Sequence, residues 1–215
     1  MCGRYALVQP SKAFENFFAV QAPLFESYNI APSQYAPIIW QSAGKRETLN
    51  ARWGLIPKWV DKPVDFKANL FNARAETLSD KASFKRPFKS QRCIIPASGF
   101  YEWKQTDGNK QVHFIHGKDL PLAFAGLYDC WQKGSEELYS YTIITTSPNA
   151  LMQDLHNRMP VILPPEHFES WLDPEGEGEL LEHLLKPFEG ELEVYPVSKR
   201  VGKVTENDAG LLEAI

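Results

Sequence analysis

Cysteine is scarce in this 215-residue chain. There are three, Cys2, Cys93 and Cys130, too far apart for a disulfide framework and without the C-x-x-C spacing of a zinc pair. No apolar run approaches the roughly 18 residues needed to span a bilayer. The N-terminus lacks the charged-then-apolar pattern of a signal peptide. These absences predict an intracellular, cytoplasmic protein in a reducing compartment, with no membrane role. No Walker A, G-x-G-x-x-G, H-E-x-x-H or zinc-ligand spacing occurs, so no metal and no nucleotide cofactor is expected. Internal repeats and low-complexity tracts are missing too. Cys93, in "RCIIPA", and Cys130, in "LYDCW", read as buried small hydrophobes.

Net positive charge is also lacking: the chain carries −4. Its distribution is uneven. Residues 1–118 hold 17 Lys+Arg against 9 Asp+Glu, and the remainder holds 6 against 18. The acids of the second half solvate their own helices, as in "PEGEGELLEHLL". The basic excess upstream points to a positive face that attracts an anionic partner.

The chain is 43% hydrophobic, which suits one domain, placed at 2–215 with Met1 removed. "SKAFENFF" spaces Phe14, Phe17 and Phe18 as a short helix, with Ser11 as its N-cap. "APIIW", "RWGLI", "RCIIPA", "GFYEWK", "QVHFIHG", "PLAFAGLYDCW", "YSYTIITTS" and "LEVYPVS" read as strands. "NALMQDL", "PEHFESWL" and "GELLEHLLK" read as helices. Strands outnumber helices and succeed one another, a pattern that disfavours a parallel βαβ fold. The expectation is α+β: a bent, mostly antiparallel β-sheet with a barrel-like core and flanking helices. "IPKWVDKPVDFKANLFNARAET" reads as a long surface loop, a place where function concentrates.

Four places carry chemistry. Removal of Met1 makes Cys2 the first residue, so that one residue holds an α-amine of pKa roughly 7.7–8.0 and a thiol of roughly 8.5. Such a 1,2-aminothiol condenses with an aldehyde to an imine, and the thiolate then closes a five-membered thiazolidine. In "GFYEWK", Glu102 stands between Tyr101 and Trp103. A carboxyl desolvated by aromatics is raised toward neutral pH, whereas an alternating strand equally allows an outward-facing glutamate. In "LHNRMPVIL", His156 follows an expected helix end and titrates near neutrality; a purely structural histidine fits the same position. In "FNARAET", Arg74 suits a phosphate and Asn72 an amine or sugar oxygen, with loop capping as the alternative. "SFKRPFK", with Lys85 and Arg86, is a generic phosphate patch or a solvated surface.

Taken in order, "MCGRY", "YNIAPSQ", "RWGLIPKW", "FNARAET", "CIIPASGFYEWK", "HNRMPVILP" and "PVSKRVGKVTEND" resemble the SRAP family, the SOS response-associated peptidases that process abasic sites. The resemblance runs nearly end to end. It implies recognition of abasic sites in single-stranded DNA and a stable DNA–protein crosslink through N-terminal Cys2, shielding the lesion. It implies that Glu102 assists ring opening and proton transfer, that His156 handles protons during Schiff-base formation, and that Asn72 positions the α-amine and deoxyribose. It implies phosphate contacts at Arg4, Arg74 and Arg158, an apolar wedge of Pro32 and Trp103, and a DNA contact at Trp59. A monomer working at the nucleoid is expected. Two other readings stay open: a thiol-dependent (auto)peptidase of N-terminal-nucleophile type, and a non-covalent reader of single-stranded or modified DNA.

Overall fold

The structure, a computed structural model, describes residues 2–8, 12–66, 68–106, 108–118 and 120–215. Ser11 and Lys67 lie outside the described residues. The chain forms β1 (Tyr5–Leu7), α1 (Lys12–Phe18), β2 (Ser27–Ile30), β3 (Tyr35–Ser42), β4 (Lys45–Trp53), β5 (Asn72–Arg74), α2 (Ala82–Ser90), β6 (Arg92–Ala97), β7 (Gly99–Thr106), β8 (Asn109–Gly117), β9 (Leu122–Lys133), β10 (Glu136–Thr146), β11 (Met159–Pro160), α3 (Phe168–Leu172) and β12 (Leu192–Val197).

Five of these strands close on themselves. β10 pairs with β4, β4 with β3, β3 with β6, β6 with β9, and β9 with β10 again. Closure removes the exposed edges that an open sheet must protect. β5 and β11 extend β10 beyond the ring. A second, open sheet runs β12-β8-β7-β1-β2. β6 and β7 are almost one strand, separated only by Ser98, so the chain bends from the barrel straight into the open sheet. Gly99 permits that bend: a Cβ there would meet the Ile115 carbonyl at 2.6 Å and the Phe114 ring. Pairing is antiparallel except where β10 meets β4 and β5. This is the expected bent, barrel-like α+β architecture.

The barrel interior is aromatic. Tyr5, Trp53, Phe100, Phe124 and Tyr141 are buried there, and Tyr5 and Trp53 meet edge to face at 5.2 Å. Their polar tips are satisfied: the Tyr5 and Tyr141 hydroxyls lie 2.6 Å apart, and Trp53 Nε1 donates to the Phe71 carbonyl at 2.8 Å. A smaller cluster of Tyr101, Val112, Phe114, Val197, Val201 and Leu211 backs the open sheet. Asn29 ties the C-terminal segment to it, its Nδ2 donating to the carbonyls of Val201, Lys203 and Glu206.

Several local expectations are corrected. "NALMQDL" is a set of turns: the Met152 amide donates to both the carbonyl and Oδ1 of Asn149, which closes one turn, and the chain then leaves toward His156. "GELLEHLLK" is 3-10 over Gly178–Leu184, ended ahead of Pro187. "RWGLI" is strand only to Trp53, because Gly54 turns out of the ladder at φ +115. "SFKRPFK" lies in α2, with Phe84, Pro87 and Phe88 buried at i, i+3, i+4 and the basic residues outward. Cys93 is buried as expected, but Cys130 is half-exposed, its Sγ 3.4 Å from Glu137 Oε1. It sits where β9 and β10 project past the ring and alternate residues meet water.

Candidate functional site

The chain start is a strand added to the open sheet. Tyr5 pairs with Phe100 and Ala6 with Gly99. The Tyr101 amide donates to the Arg4 carbonyl at 3.0 Å, so the antiparallel run continues past Tyr5 and brings residues 2–4 alongside residues 101–103. That register carries Cys2 toward Glu102. From the other side comes the barrel. β5 pairs parallel with β10, Asn72 opposite Ile143, and Asn72 Nδ2 donates to the Cys2 carbonyl at 2.8 Å. Asn72 Oδ1 is buried and unpartnered. β11 closes the far end of β10 through Thr146 and Met159, and His156 lies just ahead of it.

Each titratable group is shifted by this burial. Cys2 is fully buried, and desolvation pushes its thiol up, with Glu102 adding to the rise and the positive chain terminus opposing it. Glu102 is 4% exposed. Burial pushes its carboxyl up to about 7, against the pull of the chain terminus and the Trp103 amide. His156 is lowered by burial and then by the chain terminus. Cys2, Glu102 and His156 thus all feel the terminal charge of the chain that still carries Met1. His156 Nδ1 accepts from the Arg158 amide at 3.0 Å. Such an arrangement holds a protonated thiol and a carboxyl able to give or take a proton near pH 7, at the residue whose nitrogen becomes an amine when Met1 is removed.

A model of the family described as SOS response associated peptidase (SRAP) matches residues 1–204. The chain belongs to the SRAP family. Abasic site processing protein YoqW of Bacillus subtilis (strain 168) is 42% identical over 225 residues, covering 100% of both chains. Abasic site processing protein HMCES of Gallus gallus is 35% identical over 212 residues, covering 83% of this chain and 63% of that one. A crystal structure of a protein from Bacteroides thetaiotaomicron superposes at a TM-score of 0.89 with 29% identity, covering 100% of each chain.

The outer residues of this SRAP chain are placed less uniformly. Arg4 is half-buried, its Nη1 donating to the Gly3 carbonyl at 2.9 Å and its Nε buried without a partner; burial lowers its pKa. Arg74 is exposed at the end of β5. Arg158 differs from both: its guanidinium is forked onto Glu76, with Nη1–Oε1 at 2.7 Å and Nη2–Oε2 at 3.0 Å. Both terminal nitrogens of Arg158 are thus taken up by Glu76 in this structure. Pro32 and Trp103 are half-buried, Trp103 against the smaller core cluster. Trp59 is 62% exposed, edge to face with Phe66 at 6.2 Å, on the barrel side toward the β9–β10 hairpin. Lys85 and Arg86 are exposed on α2, and Arg86 Nη1 lies 3.6 Å from Asp129.

Two residues escape the sequence reading. Glu76 stands inside the quoted "FNARAET" but joins Arg158 across 82 positions, a separation that no local pattern reports. Asp129 is buried and organises the Trp59 loop. Its signal in the sequence is an acid inside an apolar strand, "LYDCW".

Proposed function

We propose that the protein recognises abasic sites in single-stranded DNA and captures them covalently through Cys2, with Met1 removed. It acts as a monomer inside the cell, and the crosslink shields the lesion. The supporting observation is that Asn72 holds the Cys2 carbonyl while Glu102 and His156 lie within electrostatic reach of the chain start, in a chain similar to proteins whose names state abasic site processing.

The chemistry balances as follows. An abasic deoxyribose opens to an aldehyde. The neutral Cys2 amine adds to C1′ to form a carbinolamine, which loses water to give an imine. The Cys2 thiol adds its sulfur to the imine carbon, and its proton ends on nitrogen. The sum is aldehyde plus aminothiol giving thiazolidine plus water, with no oxidant or metal. Because burial keeps the thiol protonated, a neighbouring base must take that proton. Glu102, poised at about 7, serves as that base and supplies its proton to the departing oxygen. Asn72, holding the Cys2 carbonyl, fixes where the amine stands, and position is a large share of such a rate. His156 takes up and returns protons in imine formation.

Intact-protein mass spectrometry tests this. The protein is incubated with a single-stranded oligonucleotide carrying one abasic site, with undamaged oligonucleotide as control. The expected product is Met1-less protein plus the oligonucleotide less one water, absent with Cys2→Ala. Cleavage of a peptide substrate without any adduct would favour a peptidase instead.

A further inference from the structure

The fork between Glu76 and Arg158 joins the two stretches that frame the site. β5 ends at Arg74 and passes at once into a 3-10 turn, Ala75–Thr77. From that turn Glu76 takes both terminal nitrogens of Arg158. Arg158 Nη2 also donates to the Thr145 carbonyl near the end of β10. The guanidinium is therefore held by a carboxylate and by the barrel at once, and its side chain is only 15% exposed. A planar fork bound at both tines has little orientational freedom. The held residue aims its own backbone. The Arg158 amide donates to His156 Nδ1 at 3.0 Å, and a nitrogen that accepts a hydrogen bond carries no proton. The neutral ring then carries its hydrogen on Nε2.

We infer that Glu76 is a positioning residue: by clamping Arg158 it holds the Arg158 amide on His156 Nδ1 and so sets the Nε2–H form of His156. The carboxyl is suited to a permanent clamp, because the hydrogen bond to Arg158 holds it below the usual carboxylate range. Glu76 touches no reacting atom. Its effect on crosslinking rests on the function proposed above; its effect on the imidazole does not.

Two measurements separate these. The first is two-bond 1H–15N NMR of His156 in protein with labelled histidine. In the wild type the Nε2–H tautomer should dominate, and Glu76→Ala should give a mixture with Nδ1–H. Glu76→Gln, which keeps shape and one acceptor, should lie between. If Glu76→Ala does not fold, Glu76→Gln and Arg158→Lys carry the same readout. An Nδ1–H wild type, or a tautomer unmoved by every folded variant, would overturn the inference. The second is the adduct rate. Glu76→Ala should slow it about tenfold and add no further loss to His156→Ala. Additive losses, or a wild-type rate in Glu76→Ala, would sink the positioning role. A wild type that forms no adduct removes the proposed function and leaves the tautomer to the NMR.

Discussion

Two carboxylates lie almost equally deep in this protein. Glu102 is 4% exposed and Asp129 2%. Their surroundings separate them. Asp129 is ringed by donors: the Lys58 amide at 3.0 Å, the Cys130 amide at 2.9 Å, Gln91 Nε2 at 3.3 Å and Arg86 at 3.6 Å. Those bonds fasten the loop after β4 to β9, where Trp131 Nε1 also donates to the Val60 carbonyl at 2.6 Å. Glu102 faces a thiol and a chain terminus, and desolvation dominates its titration. The lesson is that depth alone does not mark a reactive acid. What marks it is whether the buried charge is wanted by its neighbours.

The largest expected effect breaks Asp129. Asp129→Ala strands the Lys58 and Cys130 amides, while the half-exposed Arg86 stays solvated; it should cost about 2–4 kcal/mol of stability by urea denaturation, while the folded fraction still forms the adduct. A loss under about 1 kcal/mol would mean that water replaces those bonds freely.

Glu102→Gln should do the reverse. The adduct rate should fall about 100-fold, within the range of a lost general acid–base group, with the fold intact. Its stability effect depends on pH. Glu102 keeps its proton to about 7 when folded and to 4.5 in its ordinary state. The folded protein therefore binds the extra proton between those values, and stability falls as pH rises through that window, by at most about 3–4 kcal/mol. Glu102→Gln lacks the loss, so its urea midpoint should gain on the wild type from pH 4.5 to 7 and hold the gap above. A constant gap would place the carboxyl in a wetter setting.

These contrasts also show what could be read in advance. The aromatic flanks of Glu102 are local and left two readings open, desolvated or outward-facing; the structure buries it at 4% exposed. The β-rich pattern of successive strands led to a bent barrel. Closure of the ring was not visible, since it depends on β9 meeting β10 on one side while β4 meets β10 in parallel on the other. Asn72 reaches Cys2 only through the parallel β5–β10 pairing, and parallel pairing leaves no hairpin signature. The helix α2 was hidden by its own chemistry: lysines and Pro87 drew attention to charge and away from the Phe84–Pro87–Phe88 face.

A smaller effect is expected at Trp59. Its ring is exposed, and the Asp129 bonds hold its loop. Trp59→Ala should leave stability within about 0.5 kcal/mol and weaken single-strand binding by about 1–2 kcal/mol, the worth of one stacked base. Fluorescence anisotropy with undamaged oligonucleotide measures it without the covalent step. Equal affinity would remove Trp59 from the DNA path.

The finest comparison is between Arg74 and Arg158, which the family resemblance pairs as phosphate contacts. Among the described residues no ion pair engages Arg74, whereas Glu76 occupies both tines of Arg158. Counterion release counts only charges that meet phosphate. Each lost contact lowers the slope of log K against log salt by about 0.7 for a single strand. Arg74→Ala should therefore flatten the slope by about 0.7, equally on intact and abasic strands, because a phosphate contact carries no base information. Arg158→Ala should leave the slope unchanged and act on crosslinking alone. If both variants flatten it, phosphate displaces Glu76 on binding, and Arg158 belongs with Arg74 after all.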